Sequence, residues 1–203
     1  MTAPPIPLRL AGRPTMGGLV VPWISVQHRD GRAILGAIHG SRTDTCIRQR
    51  RCQTCGDPLG ERIVLFARPR DIARGYIAEP ALHPDCAAYS AKACPMINGS
   101  MTKYRTSPHK VDGKPCGEPG CDCAGWISAD DQKARSDQPA EPWFALWITP
   151  GDYRTAVNEH GKLVGIVVKD LTPLKIRSLN DLANEHLPAV EAIYAMRTLW
   201  KMG

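Results

Sequence analysis

"RCQTCGDPLGERIVLFAR", Arg51 to Arg68, sets two cysteines in a tight turn and follows them with a short apolar strand. Two thiols separated by two residues face one side of a turn, as half the ligand set of a tetrahedral metal ion requires. Gly56 follows the pair, where the chain often needs positive φ. The other half stands in "HPDC", where His83 and Cys86 repeat the spacing and complete the pattern C-x2-C-x27-H-x2-C. Pro84 suits an early helix position, and "HPDCAAYSAKAC" reads as an Ala-rich helix that Pro95 stops. Turn with two ligands, strand, then a helix opening on the second pair: Cys52, Cys55, His83 and Cys86 are the first expected site, with zinc as its metal. A redox CxxC would open a helix after a strand, and "RQRRCQTCGDPLG" does not read that way.

This arrangement resembles a treble-clef or LIM-like zinc-binding module. The resemblance spans Cys52 to Pro95, under a quarter of the chain, and implies one structural zinc on those four residues. The chain departs from it in the long segment between the pairs, which carries an extra helical piece at "RDIARGY". More loosely, the whole chain is similar to small cysteine-rich proteins of bacteria and phages, a resemblance that implies no activity.

A second group of sulfurs lies in "CGEPGCDCAGW", Cys116 to Trp126. Cys116, Cys121 and Cys123 fit one compact loop, and a closed site needs a fourth ligand. Cys94, His109 and Cys46 are the candidates. In a helix over 84–94, Cys94 lies about 12 Å along the axis and about 80° around from Cys86. Zn–S bonds near 2.3 Å, roughly, cannot span that, so Cys94 does not share an ion with Cys86. Cys94, Cys116, Cys121 and Cys123 are therefore the expected second site, with two zinc ions in total. A three-Cys zinc with an open position is a smaller alternative, because three thiolates blunt the metal's Lewis acidity.

The chain has 203 residues, eight cysteines and a net charge of +6. The start, "MTAPPIPLRLAGRPTMGG", has no apolar core of a signal peptide and no run reaches membrane-span length, so the thiols read as metal ligands in the cytoplasm. Basic residues outnumber acidic ones eight to four over Arg42–Arg74 and five to one over Lys92–Lys114; from Glu118 to Glu141 acidic residues lead six to two. Basic charge around metal motifs permits nucleic-acid contact, and a solvated surface explains it as well.

The expected fold class is α+β. Residues 1–18 read as a flexible Pro/Gly-rich arm and 19–126 as a Cys-rich zinc-binding part with β-hairpins and a short helix. Residues 127–142 have acidic linker composition, and 143–203 read as a small antiparallel β-hairpin plus a C-terminal helix. The apolar runs flanking Asp30-Gly31 predict one hairpin. "WFALWIT" and "KLVGIVV" predict strands, "TPLKIRSL" a third, and "PAVEAIYAMRTLWKM" a helix with Pro188 in its first turn. In the first of these strands Phe144, Leu146 and Ile148 share one face and Trp143 and Trp147 the other. The tryptophans either pack on the zinc-rich half or offer a stacking platform.

No phosphate-binding glycine loop, nucleophile elbow, HExxH or deaminase signature occurs. His28, His39, His160 and His186 read as surface or cap residues. A zinc-stabilised binding module contacting nucleic acid is the leading reading, through Arg48, Arg50, Arg51, Lys103, Arg105 and Lys110. One alternative is an enzyme with a pocket between the halves that draws on Asp152, Tyr153, Arg154, Lys175 and Arg177. The other is an adaptor that meets a protein partner through Trp143 and Trp147. Membrane association is not expected.

Overall fold

The structure, a computed structural model, describes residues 3–104, 116–127 and 136–202. The Cys-rich part opens with strands β1 (Thr15–Met16), β2 (Leu19–Val20), β3 (Ser25–Gln27) and β4 (Ala33–His39), then helix α1 (Gly40–Arg48). Strand β5 (Ile63–Ala67), helix α2 (Pro69–Arg74), strand β6 (Tyr76–Ile77) and helix α3 (Pro84–Ala93) follow, with β7 (Trp126–Ile127) beyond. The remainder holds β8 (Phe144–Ile148), β9 (Thr155–Val157), β10 (Leu163–Val167), β11 (Lys175–Ser178) and helix α4 (Asp181–Met202). Every strand pairing is antiparallel, and the fold is α+β, as expected.

Strand β5 decides the architecture. All five residues of "IVLFA" are buried, so the strand must lie between two layers. It pairs with β8, Ile63 opposite Ile148 and Ala67 opposite Phe144, and β11 takes the other edge of β8. One face of this sheet sends Ile63, Leu65, Phe144, Leu146 and Ile148 into a core with Ile77, Ile166, Val190 and Tyr194, from the β6-β10-β9 sheet and α4. The opposite face sends Val64, Phe66, Trp143 and Ala145 against Ala87 and Tyr89 of α3 and against Cys52, Cys55 and Cys86. Each fully buried Leu, Ile or Phe contributes about 1.5–3 kcal/mol, so this double-sided sheet is the main stabilising element. The tryptophan face packs on the cysteine-rich half. Trp143 is 2% exposed and lies beneath the Arg68 guanidinium, 5.0 Å from its ring, while Trp147 is half-buried. Trp143 is thus covered and offers no platform to a partner.

Several expectations are corrected. Residues 143–167 are not a hairpin: β8 is flanked by β5 and β11, whereas β10 pairs with β9 and β6. The segments before and after 127–142 therefore share a sheet. Within that stretch 128–135 lie outside the described residues, and Glu141 bonds to Arg70 and accepts the Tyr104 hydroxyl at 2.7 Å. The arm is docked: Leu10 is fully buried, Arg9 pairs with Asp85 at 3.0 Å, and Arg13 donates to the Val21 carbonyl at 3.0 Å. Helix α4 begins at Asp181, seven residues before Pro188, because the Asn180 Oδ1 accepts the Ala183 amide at 2.9 Å and caps the helix there. The hairpin at Asp30-Gly31 forms, as do the strand after the first cysteine pair and the helix that opens on His83 and Cys86.

Candidate metal centres

The first centre joins a turn to a helix start. Gly56 has φ +87°, and a Cβ there would lie 2.6 Å from Trp23 Cδ1, so glycine is needed on both counts. The turn is braced by the amide of Cys52 on the Asp57 carbonyl (2.9 Å) and by Arg51 donating to the Gly56 carbonyl (3.0 Å). His83 is the N-cap of α3, and Cys86 stands in its first turn behind Pro84. The four ligand atoms of Cys52, Cys55, His83 and Cys86 lie within 4.8 Å of one another, and all four residues are buried. A tetrahedron with Zn–S bonds of about 2.3 Å has edges of about 3.8 Å, so the set fits one ion with little adjustment.

The surroundings favour metal ligation. His83 Nδ1 is 3.4 Å from Cys55 Sγ, while Nε2 donates to the Pro58 carbonyl at 2.9 Å. That outer bond fixes the tautomer that leaves Nδ1 free to ligate. The Asp57 amide donates to Cys55 Sγ at 3.4 Å. Hydrogen bonds from the Cys55 and Cys86 thiols hold Cys52 far below the usual thiol range, and the same contacts push Cys86 up. Three sulfurs and an imidazole converging in a core form a donor set that could hold one metal ion.

The second centre corrects the sequence reading. His28, not Cys94, completes the set with Cys116, Cys121 and Cys123, again within 4.8 Å. His28 opens the turn between β3 and β4, where its amide donates to the Arg32 carbonyl at 2.7 Å. Its Nδ1 is 3.9 Å from Cys121 Sγ, and the neighbouring Arg29 donates to the Pro119 carbonyl at 2.7 Å. Cys94 ends α3, its amide bonded to the Ser90 carbonyl, and packs with the core that contains Cys86. Burial pushes its thiol up. Cys46 is fully buried in α1, and burial raises its thiol to about 12, so it stays protonated. His109 lies outside the described residues.

A buried histidine holds the second loop. The Asp122 carbonyl is 2.9 Å from His39 Nε2; a carbonyl only accepts, so Nε2 carries the proton. Nδ1 then accepts the Ser41 hydroxyl at 3.1 Å. The Cys116 amide donates to Cys123 Sγ at 3.4 Å, and the Cys123 amide is the main cause that lowers the Cys121 thiol to about 6. Arg42 donates to Asp122 at 2.8 Å and to the Ser25 carbonyl at 3.0 Å. The amides of Trp23 and Ile24 donate to the Thr54 and Gln53 carbonyls of the first knuckle. The segment from Trp23 to His28 therefore touches both centres.

The basic residues are dispersed. Arg48 is exposed at the end of α1 and has no partner among the described residues. Arg50 donates to the Pro150 and Tyr153 carbonyls, at 3.3 and 3.2 Å, and stacks on Tyr153 at 5.2 Å. Arg51 serves the first knuckle, and Lys103 faces Asp137 at 3.6 Å. Arg105 and Lys110 lie outside the described residues. Arg48, Arg50, Tyr153 and Arg154 line one groove, and Lys175 and Arg177 lie elsewhere, on β11. Among the described residues no helix is long and apolar enough to cross a membrane. Comparison with protein-family models, with curated proteins and with solved structures finds no match.

Proposed function

We propose that both centres bind zinc and that the protein is a cytoplasmic, zinc-built binding module whose ligand is nucleic acid. The observation that carries the zinc reading is the pair of separate Cys3His donor sets, each compact enough for one tetrahedral ion. Three thiolates and one imidazole suit zinc, and four protein ligands fill its coordination sphere. No position is then left for a bound water, which speaks for a structural role over hydrolysis. The order knuckle, β5, then α3 opening on His83 and Cys86 supports a treble-clef arrangement at the first centre. The net charge of +6 and Arg48, unpartnered among the described residues, support a polyanionic ligand.

Metal analysis with X-ray absorption tests the first half: two zinc per chain, with six sulfur and two nitrogen ligands in total, are expected. A single zinc, or a light-atom ligand beyond the two histidines, would refute it. For the second half, affinity for a labelled oligonucleotide must fall as salt rises; a salt-independent affinity contradicts phosphate contact.

A further inference from the structure

The groove between the end of α1 and the start of β9 gathers more positive charge than the fold pairs. Its walls are Ile47, Arg48, Arg50, Tyr153, Arg154 and Thr155, around a volume of about 350 Å³. Three guanidiniums line it and no carboxylate does. Arg48 has no partner among the described residues, and Arg154 only faces Asp170 at 3.9 Å.

Helix α1 ends here, and a bare C-terminus would repel an anion. This one is not bare. The Thr45 carbonyl accepts the Gln49 amide, the Cys46 carbonyl accepts the Arg51 amide, and the Ile47 carbonyl accepts the Tyr153 hydroxyl. The six-to-one bond from Arg51 to Cys46 closes a Schellman turn whose left-handed residue is Arg50, with φ 51°. Glycine usually occupies that position. An arginine there is aimed by the turn itself, and its contacts with the Pro150 and Tyr153 carbonyls and the Tyr153 ring hold the guanidinium at the groove wall.

Guanidinium forks match phosphate oxygens in geometry and charge. The volume lies at the lower end of the usual ligand range, roughly 300–1,000 Å³, enough for a phosphate with its attached sugar. We infer that this groove is a phosphate-binding subsite, with Arg48 and the exposed Arg154 as its forks, Arg50 as its fixed wall and the Thr155 hydroxyl as a further donor. The inference rests on the nucleic-acid reading only for the source of the phosphate, a backbone diester; a free phosphate is the other source.

The test uses the zinc-loaded full chain with two probes, a labelled short single-stranded oligodeoxynucleotide and inorganic phosphate. Wild type is compared with the Arg48→Ala/Arg154→Ala double variant, and with Lys175→Ala as a control on an exposed β11 residue. Strand binding should weaken by roughly tenfold for each arginine removed, with a shallower salt dependence, while the control matches wild type. Inorganic phosphate should shift the amide resonances of Arg48, Arg154 and Thr155 in wild type and not in the double variant. If phosphate binds in this way but the strand does not, the subsite stands and the nucleic-acid reading fails. Equal strand binding by wild type and double variant overturns the subsite and leaves that reading intact. No binding of either probe overturns both. Should the double variant lose zinc, Arg154→Gln alone carries the same comparison, because this exposed side chain has only the 3.9 Å contact to Asp170.

Discussion

Gly125→Ala should loosen the second metal centre and spare the first. A Cβ at Gly125 would lie 2.2 Å from His39 Cε1 and Nε2. The His39 ring is 5% exposed and held at both nitrogens, so it cannot swing into solvent without giving up the Asp122 carbonyl and the Ser41 hydroxyl. Overpacking of this kind costs about 1–3 kcal/mol. If letting the Cys116–Cys123 loop go relieves that strain, it converts, at 1.36 kcal/mol per tenfold, into zinc affinity weaker by roughly 5- to 150-fold at that centre. Competition against a chromophoric chelator reads the two zinc ions as two steps, and only the weaker step should move. Adding His39→Ala makes room for the new methyl group. The double variant should then bind zinc as His39→Ala alone does, the non-additivity expected of residues in contact. An unchanged second step, or equal weakening of both steps, would refute the reasoning.

Hydroperoxide added in small steps should release zinc from the second centre first, because Cys116 is exposed and Cys121 half-buried while Cys52 and Cys86 are 0% exposed; ion-by-ion release followed with a zinc dye checks the order. Cys94→Ser should retain two zinc ions and His28→Ala should weaken only the second, as read by metal content after dialysis against a mild chelator. Arg50→Gly should melt higher than Arg50→Ala by the equivalent of about 1 kcal/mol, because both lose the carbonyl contacts but only glycine accepts φ 51° without strain. The Cys46 thiol is raised to about 12 by burial, so the folded state keeps a proton that the unfolded chain releases near pH 9. Its contribution is complete below that pH and is lost as pH rises towards 12. The stability difference between wild type and Cys46→Ala, from denaturant melts, should shrink by up to about 1.4 kcal/mol per pH unit in that window.

The first centre was legible because its ligands come in two local pairs whose spacing a turn and a helix start impose. The second was legible only in its three clustered cysteines. Helix geometry correctly separated Cys94 from Cys86, yet nothing local marks His28, since a hairpin turn brings it to the loop from 93 residues away. The apolar strands announced themselves by composition, and the two faces of β8 by alternation. Their partners did not, because β5 and β10 both carry apolar runs able to pair with β8. Helix α1 was missed for a physical reason: "GSRTDTCIR" is polar, buries only Thr43, Cys46 and Ile47, and spends Thr43 and Thr45 on bonds back to the carbonyls of His39 and Ser41.

The position of His28 has a consequence for the order of assembly. Cys55 and His83 are 28 residues apart, so the first centre can close as soon as α3 has left the ribosome. His28 must wait until Cys116–Cys123 have followed. A metal ion at the second centre would close a loop of chain that contains the whole first centre between its ends. A cross-link over such a span lowers the entropy of the unfolded chain by the equivalent of about 4–5 kcal/mol on the chain-entropy argument for covalent bridges. With zinc in the second centre, as proposed above, that ion would act as a removable staple, and zinc supply would lengthen or shorten the lifetime of the fold.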